Sequence, residues 1–368
     1  TTEIYTLSLH DALPIFAVSA QEAYSRARNA DIDKRREALS GPALLDGVRA
    51  NAAERLRASM EGIEIDLDDV VGSPRFIRNR EGFLTPPSSI REMDVRLAGQ
   101  PMPPRTAAAA PDARIREFLD ENAELFGHGS EVLAGARKTR EYTTEHSGMR
   151  TVVWQQELDG IPVFDAVLYG HVARNGELIS LCSQFVPEPE SAADAGAPDR
   201  SRIQALPPIS AHEAIAEAAA GIGEDLRAEE VVEVDLAAEG NERKQHFGAE
   251  ALVGDTTASL VWLPMNRNTM RLCWRVILTG KSSGELYQVL IDAENGEPQL
   301  RHCWTRYFQQ ASFRVFDSDS PTPGTPGWTW PDPAQPIFRP QVDKPNVSGT
   351  ASPNGWITDG ANQTIGNN

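Results

Sequence analysis

The stretch that decides the fold is residues 150–164, which read RTVVWQQELDGIPVF. Val152, Trp154 and Leu158 fall on one face of an extended chain, because successive side chains of a strand point to opposite faces. The run Gly160-Ile161-Pro162 predicts a turn. A second strand follows, in which the apolar residues again alternate: Phe164, Ala166, Leu168 and Val172. The stretch therefore predicts two antiparallel strands.

Flanking segments complete a small module around these strands. Asn175-Gly176 predicts a two-residue hairpin turn with both residues at positive φ, and residues 178–185 return as a third strand. Upstream, Pro111-Asp112 begins a helix that extends to about Phe126 and ends at Gly127, a residue type common at helix C-termini. The apolar face of this helix consists of Ile115, Phe118, Leu119, Ala123 and Phe126. The sequence thus predicts a helix followed by an antiparallel meander.

The same plan recurs in the second half of the chain. Ser210-Ala211-His212-Glu213 is a capping box that begins a helix through about Ala220. Asn295-Gly296 predicts another hairpin turn. The predicted strands of this half are 272–278, 287–291 and 300–304. The fold class expected is α+β, with two small modules in tandem, each a helix packed on an antiparallel sheet.

Composition sets the boundaries of these modules. Residues 1–16 resemble a translated sequencing adapter and are expected to lie outside the natural protein, and residues 17–20 are expected to be the remnant of a signal peptide. The remaining segments are a helical segment and Pro-rich linker at 21–104, the first module at 105–190, the second module at 205–308, a Pro/Gly-rich linker at 309–350 and the beginning of a further domain at 351–368.

The charge and hydropathy of the chain exclude two classes of function. The 368 residues include 35 Lys and Arg against 53 Asp and Glu, a net charge of −18. Because each phosphate contact needs a basic side chain, this balance argues against nucleic-acid binding. No stretch approaches the roughly 18–20 consecutive apolar residues that span a bilayer. We expect neither a nucleic-acid partner nor a membrane span.

Candidate catalytic motifs fail on spacing or context. His212-Glu213 copies the first half of a zinc-binding His-Glu-x-x-His helix, but Ala216 stands where the second histidine belongs. Residues 280–284 read GKSSG and match a serine-nucleophile pattern, yet the predicted strands on both sides make this stretch a hairpin loop. Cys273 and Cys303 are expected to be free thiols because they would lie on the two outer strands of the meander. The sequence shows no catalytic or metal site.

Two stretches resemble known domain families. Residues 148–164 with 175–178 closely resemble the fungalysin/thermolysin propeptide (FTP) domain, and the residues that carry this resemblance are Gln156, Gly160, Pro162, Val163 and Gly176. Residues 272–276 and 287–297 resemble a PepSY domain, whose signature here is Trp274, Val276, Tyr287, Val289, Asp292 and Gly296. We expect these signature residues mainly to maintain the fold. Residues 351–356 and 366–368 are similar to the start of the catalytic domain of fungalysin-type metallopeptidases.

The order of these resemblances implies the propeptide of a secreted fungalysin-type zinc metalloendopeptidase of bacterial origin. Such a propeptide inhibits its protease in cis and assists its folding, and the protease domain is expected after Asn368. Zinc is expected in that domain, and no cofactor is expected in this chain. Two alternatives stay open: a stand-alone secreted FTP/PepSY inhibitor or binding module, and an extracellular adhesion protein.

Overall fold

A computed structural model of the protein describes residues 30–38, 47–85, 112–305, 313–316 and 341–344. The helices are α1 (Lys34–Ala38), α2 (Gly47–Ser59), α3 (Ala113–Glu121), α4 (Ala123–Phe126), α5 (Pro189–Gly196), α6 (Arg200–Ala205) and α7 (Ala211–Ile222). The strands are β1 (Ile32–Asp33), β2 (Ile63–Leu67), β3 (Pro74–Asn79), β4 (Arg137–Thr143), β5 (Arg150–Leu158), β6 (Ile161–Val172), β7 (Leu178–Ser183), β8 (Val232–Glu233), β9 (Gln245–Gly248), β10 (Thr256–Asn266), β11 (Thr269–Thr279), β12 (Leu286–Asp292), β13 (Pro298–Cys303), β14 (Phe313–Phe316) and β15 (Gln341–Lys344).

Residues Ala30–Trp304 form one compact unit built on a single sheet. Among the described residues, this sheet has 13 strands and is antiparallel except where β6 meets β10. The order along its main path is β1-β13-β12-β11-β10-β6-β7-β3-β2, with β5 and β4 branching from β6, and β9 and β8 from β10. In the second unit, β14 pairs antiparallel with β15. The α+β class predicted from the sequence is confirmed.

The two predicted modules share this sheet and one apolar core. Strand β6 pairs antiparallel with β5 and β7, and at Val163 it pairs in parallel with Trp262 of β10. Trp154 of the first half and Trp262 of the second are buried in the same hydrophobic cluster. Each predicted module contributes its own antiparallel strands, and β6 joins the two sets into one sheet at the pair of Val163 and Trp262.

Helices cover both faces of the β10–β13 region. Helix α7 packs on β11 and β12, while α1 packs on β10 and β13. Along β10, Leu260 and Trp262 belong to the main core, so the intervening Val261 and Leu263 point to the opposite face. A smaller apolar cluster forms there, made of Val261, Leu263, Cys273, Leu290 and Leu300.

The predicted helices and strands with clear periodicity are present. Helices α3 and α4 occupy the predicted stretch, with a break at Asn122, and Gly127 follows in the left-handed conformation with φ 80°. Ser210 and Glu213 form the predicted capping box of α7. Strands β5, β6, β7, β11, β12 and β13 match the predicted strands, and residues 280–284 lie in the loop between β11 and β12.

The turn between β5 and β6 lies one residue earlier than predicted. Asp159 and Gly160 occupy its centre with φ values of 55° and 76°, whereas Ile161 and Pro162 already belong to β6. Asp-Gly is a preferred pair for a two-residue type I′ turn, in which both residues have positive φ.

The two Asn-Gly turns use only their glycine in the left-handed region. Gly176 has φ 94° and Gly296 has φ 78°, and neither preceding asparagine has positive φ. At the first turn, Ala173 N–H donates to Glu177 C=O, which leaves three residues in the loop. A three-residue loop needs a single left-handed glycine, so the predicted pair of positive φ values was wrong.

Strands also occupy part of the segments predicted to be linkers. Strands β2 and β3 form a hairpin within residues 61–85, and β3 pairs with β7 through Ile77 and Leu181. Ile77 is fully buried. The Pro-rich part of the predicted linker, residues 86–104, lies outside the described residues, as do residues 1–29 and 351–368. Strands β14 and β15 lie within the predicted linker 309–350.

Strand β10 was not predicted, although it is central to the sheet. Residues 260–263 read LVWL and are all buried, because both faces of β10 are covered. A strand covered on both faces loses the polar-apolar alternation that marks a half-exposed strand.

The burial of β3 gives a direct test of the corrected boundary. Replacing Ile77 with Ala is expected to lower the free energy of unfolding by about 2–4 kcal/mol, because it leaves a cavity in the core. The exposed neighbour Arg75, replaced with Ala, is the control and should change it by less than about 0.5 kcal/mol. Urea denaturation measures both, and a small loss for Ile77→Ala would place β3 outside the core.

Candidate functional site

Gln156, the first residue of the FTP signature, holds the chain segment that follows β7. Its side chain is buried, and its amide Nε2 donates to Val186 C=O at 2.8 Å while its Oε1 accepts from Val186 N–H at 2.8 Å. The side chain thus satisfies both backbone polar groups of one buried residue, as a neighbouring strand would. This geometry assigns Gln156 a structural role.

Gly160 touches the second half of the chain. Asn241 Nδ2 donates to Asp159 C=O at 2.7 Å, and a Cβ on Gly160 would lie 2.6 Å from that nitrogen. Gln204 Nε2 reaches the Asp159 carboxylate at 2.9 Å, and Arg200 lies 3.4 Å from it. Only glycine allows both the positive φ and the close approach of Asn241.

Val163 and Pro162 lie where β6 changes partner. Pro162 still pairs with Glu157 of β5, and the fully buried Val163 pairs with Trp262 of β10. Beyond this point β6 bulges, and Asp165 takes a left-handed φ of 58°. The signature residues Gly160, Pro162 and Val163 therefore line the junction between the two halves.

Gln155 supports this junction and was missed by the sequence reasoning. Its Nε2 donates to Val163 C=O at 2.7 Å and to Ala166 C=O at 3.1 Å. These carbonyls lose their partners in β5, where the register shifts between Gln155 and Glu157. In the sequence Gln155 is visible only as a second glutamine beside Gln156. Its hydrogen bonds depend on a bulge in β6 that the sequence does not reveal.

Gly176 is not part of this junction. It lies in the hairpin at the opposite end of β6, where it provides the left-handed residue of the β6–β7 loop.

The residues that carry the resemblance to PepSY lie on β11, β12 and the loop after β12. Trp274 Nε1 donates to Ile209 C=O at 2.7 Å, which ties β11 to the start of α7. Val276 faces Val289 across the β11–β12 ladder, and both are fully buried. The Tyr287 hydroxyl donates to Glu285. Asp292 forms an ion pair with Arg271, and Gly296 lies in the turn.

Asp292 organises the turn before β13. Its Oδ1 accepts the backbone N–H groups of Glu294 at 2.9 Å and Asn295 at 3.3 Å. The carboxylate is almost fully buried beside Arg271. Its contacts therefore shape the loop and leave no oxygen exposed to a partner.

Two of the thiols in the described residues, Cys182 and Cys273, are poor nucleophiles. Cys182, Cys273 and Cys303 are buried and form no disulfide, as the spacing argument for Cys273 and Cys303 predicted. Burial raises the pKa of the Cys182 thiol to about 11 and also raises the pKa of Cys273. Both thiols are therefore protonated at neutral pH, and a protonated thiol neither attacks nor binds metal well.

The serine-rich loop 280–284 is held by a carboxylate. Glu224 Oε1 accepts the backbone N–H of Ser282 at 2.8 Å and also its hydroxyl at 2.5 Å. The Ser282 hydroxyl therefore donates to a carboxylate that also holds the backbone of the loop. The loop fixes the β11–β12 hairpin to the end of α7.

Four described strands of the main unit pair with one neighbour only: β1 and β2 at the ends of the main path, and β4 and β8 at the ends of the branches. Strand β4 pairs only with β5 among the described strands, and all its side chains are exposed. Strand β8 pairs only with β9 in the described part of the chain. Val232, Val234 and Leu236 alternate along β8 and its continuation, with exposures of 64%, 60% and 106%. We call these three residues the β8 apolar row.

The comparisons with known proteins agree with the first resemblance. Residues 134–185 match the Fungalysin/Thermolysin Propeptide Motif family. This match covers β4 to β7, so the resemblance to an FTP propeptide is confirmed over that region. It supports a role for this region as part of a protease propeptide.

A curated relative points to the same class of protein. The chain is 27% identical over 181 residues to the "Extracellular metalloproteinase mep" of Aspergillus terreus (strain NIH 2624 / FGSC A1156). The alignment covers 49% of this chain but only 26% of that protein. The relative is fungal, so the expected bacterial origin is not supported.

A solved structure aligns over much of the chain at low similarity. The Bacillus megaterium YpeB C-terminal domain covers 72% of this chain and 100% of its own, with 10% identity and a TM-score of 0.25. That score is too low to carry an argument about fold or function. Within the described residues, no helix is long and apolar enough to cross a bilayer.

The bonds of Gln156 predict a measurable loss on substitution. Gln156→Leu keeps the volume but leaves the N–H and C=O of Val186 buried without partners, and it should cost about 1–3 kcal/mol of unfolding free energy. Gln204→Leu, which removes one surface hydrogen bond, is the control and should cost less than about 0.5 kcal/mol. Equal losses in urea denaturation would contradict the structural role of Gln156.

The contact between Gly160 and Asn241 predicts non-additive substitutions. Gly160→Ala should cost about 1–3 kcal/mol, part from the positive φ and part from the clash with Asn241. In an Asn241→Ala background the clash is absent, so the same change should cost at least about 0.5 kcal/mol less. A double-mutant cycle by thermal or urea unfolding measures this coupling, and strict additivity would show that the two residues do not touch.

Proposed function

We propose that the protein is the inhibitory and folding-assisting propeptide of a secreted fungalysin-type zinc metalloendopeptidase, whose catalytic domain follows in cis after Asn368. The observation that carries the proposal is the match of residues 134–185 to the propeptide motif. The similarity to an extracellular metalloproteinase supports both the enzyme class and secretion. Because the chain aligns with only 26% of that relative, the activity of the whole protein is part of the proposal.

Zinc chemistry belongs to the proposed protease domain. The described residues bring together no group of three His, Cys, Asp or Glu side chains that fits a metal ion. We therefore assign no step of peptide hydrolysis to this chain. Its contribution is a folded surface that the protease domain contacts.

The open edge of β8 is the surface that we assign to this contact. An edge strand can bind an extended segment of a partner through main-chain hydrogen bonds, while alternate side chains fill apolar pockets. The β8 apolar row offers three such side chains. Residues 228–242 around it contain six acidic and no basic side chains, which favours a partner surface with Lys or Arg. The same charge disfavours a second copy of this chain.

The single sheet explains how the chain could assist folding. A surface that is already ordered loses little conformational entropy on binding, so it can hold a partner that is still ordering its own strands. Both halves of the unit share one core, so β4 and β8 keep a fixed relation to the sheet.

The test uses the full chain added in trans to the mature protease encoded downstream. At stoichiometric concentration it should slow peptide hydrolysis and increase the yield of active protease on refolding, and it should show no proteolysis alone. Substituting Val232 and Val234 together with Lys should weaken inhibition at least about tenfold, equal to about 1.4 kcal/mol. Leu206→Lys, at an exposed apolar residue away from β8, is the matched control and should inhibit like the unmodified chain.

Each failure has a distinct meaning. If the unmodified chain neither inhibits nor assists refolding, the propeptide role is wrong. If it inhibits but the β8 variant inhibits equally well, only the assigned surface is wrong. A stop codon directly after Asn368, combined with inhibition of a separate protease, would favour the stand-alone inhibitor.

A further inference from the structure

The residue His128 is buried at a contact that the proposed function does not use. It follows the left-handed Gly127 and exposes only 5% of its surface. Its Nδ1 lies 2.9 Å from Gly129 C=O. Because a carbonyl only accepts, Nδ1 must carry the proton, and the neutral ring then has Nε2 as its lone-pair acceptor. That Nε2 atom is buried without a hydrogen-bond partner.

The ring of His128 contacts two aromatic rings and shares a cleft with a buried cation. The rings of Phe126 and Phe185 lie 5.8 Å and 6.1 Å from the imidazole, centre to centre. The buried guanidinium of Arg49, from α2, lines the same cleft as His128. It donates to Phe126 C=O at 3.1 Å and to Gly72 C=O at 3.1 Å. Arg49 thus connects α2 with the end of α4 and the loop before β3.

The other charged groups of this cleft are acidic except for Arg267. They are Asp120 and Glu124 from the α3–α4 segment and Glu131 from the turn that follows. Asp120 Oδ1 accepts Ser130 N–H at 2.6 Å, and Glu131 Oε1 accepts Gly129 N–H at 2.8 Å. Asp120 and Glu131 are thus engaged with the backbone, Glu124 pairs with the Arg55 side chain, and none of the three forms a hydrogen bond with Nε2.

We propose that His128 makes the attachment of helix α2 acid-sensitive: a protonated ring places a second cation beside Arg49 in an apolar site and forces α2 away from the α3–α4 segment. The new Nε2–H would be a buried donor with no acceptor, a costly arrangement. The inference concerns this chain alone and does not depend on its being a propeptide. If it is one, acidification would loosen the inhibitor before it is cleaved.

The sign of the pH effect follows from the burial of the ring. Burial lowers the pKa of His128, the charge of Arg49 lowers it too, and the Gly129 bond and Glu131 only partly offset them. The unfolded chain therefore binds a proton at a higher pH than the folded chain. Stability is complete above the ordinary histidine pKa of about 6.5 and is lost as the pH falls from there towards the folded value.

Other histidines require a variant-based comparison. His246 and His302 each lie beside a carboxylate, Asp235 and Asp31, with Nδ1–Oδ2 distances of 2.7 Å and 2.9 Å. Burial lowers the pKa of His171, so it acts in the same direction as His128. The contribution of His128 is therefore measured as the difference in pH-dependent stability between the natural chain and a His128 variant.

The test measures unfolding of the full chain in urea at about pH 7.5 and about pH 5.5, a range that spans the titration of histidine but keeps carboxylates charged. His128→Asn places an amide N–H near Nδ1, retains a donor for Gly129 C=O and cannot be protonated. Between the two pH values, the unfolding equilibrium constant of the natural chain should rise up to about tenfold more than that of His128→Asn. His146→Gln, at an exposed histidine, is the control and should behave as the natural chain.

Hydrogen exchange locates the effect within the fold. At the lower pH, after correction for intrinsic rates, amides of Gly47–Ser59 should exchange faster in the natural chain but not in His128→Asn. Amides of Ala211–Ile222 should be unaffected by the substitution. The proposal is overturned if both chains lose stability equally, or if α2 keeps its protection at the lower pH. If His128→Asn does not fold, a proton NMR titration of the natural chain decides: the pKa of His128 must lie below the ordinary histidine value of about 6.5.

Discussion

The structure depends on one strand that serves three neighbours. Strand β6 pairs with β5 and β7 along the first meander and with β10 at Val163, which joins the two halves into one sheet. Near the residue that pairs with β10, β6 bulges, and Asp165 takes a left-handed φ. The carbonyls of Val163 and Ala166 therefore do not pair with β5. The side-chain amide of Gln155 donates to both carbonyls, so the bulge leaves neither of them without a hydrogen bond.

The N-terminal segment completes the sheet that β6 begins. Strand β1 pairs with β13 at one end, and the β2–β3 hairpin pairs with β7 at the other. At the β13 end, Arg301 donates to Ala30 C=O and Cys303 N–H donates to the Asp31 carboxylate. Edge strands are a hazard for aggregation, and short added strands are one way to limit them. The segment is therefore part of the folded unit: its strands β1 and β2 form the two ends of the main path, while β4 and β8 form the edges of the branches.

The sequence was informative where a single local pattern decides the structure. Half-buried strands such as β5 and β11 alternate, and the capping box at Ser210 marks the start of α7, so these elements could be predicted. Strand β10 lacks alternation because both of its faces are buried. The contacts of Arg49 and His128 could not be predicted, since each involves groups from distant parts of the chain, and those of Gln155 could not because they depend on a bulge in β6. The Asp159-Gly160 turn was predictable, because that pair is itself a turn signal.

The signature residues of the propeptide motif describe a scaffold more than a contact surface. Gln156 bonds to the backbone of Val186, Gly160 admits Asn241, and Val163 is buried against β10. Each of these contacts joins two parts of the same folded unit, so the motif residues hold its two halves in a fixed register. The match to the motif therefore reports on this scaffold and not on a contact surface.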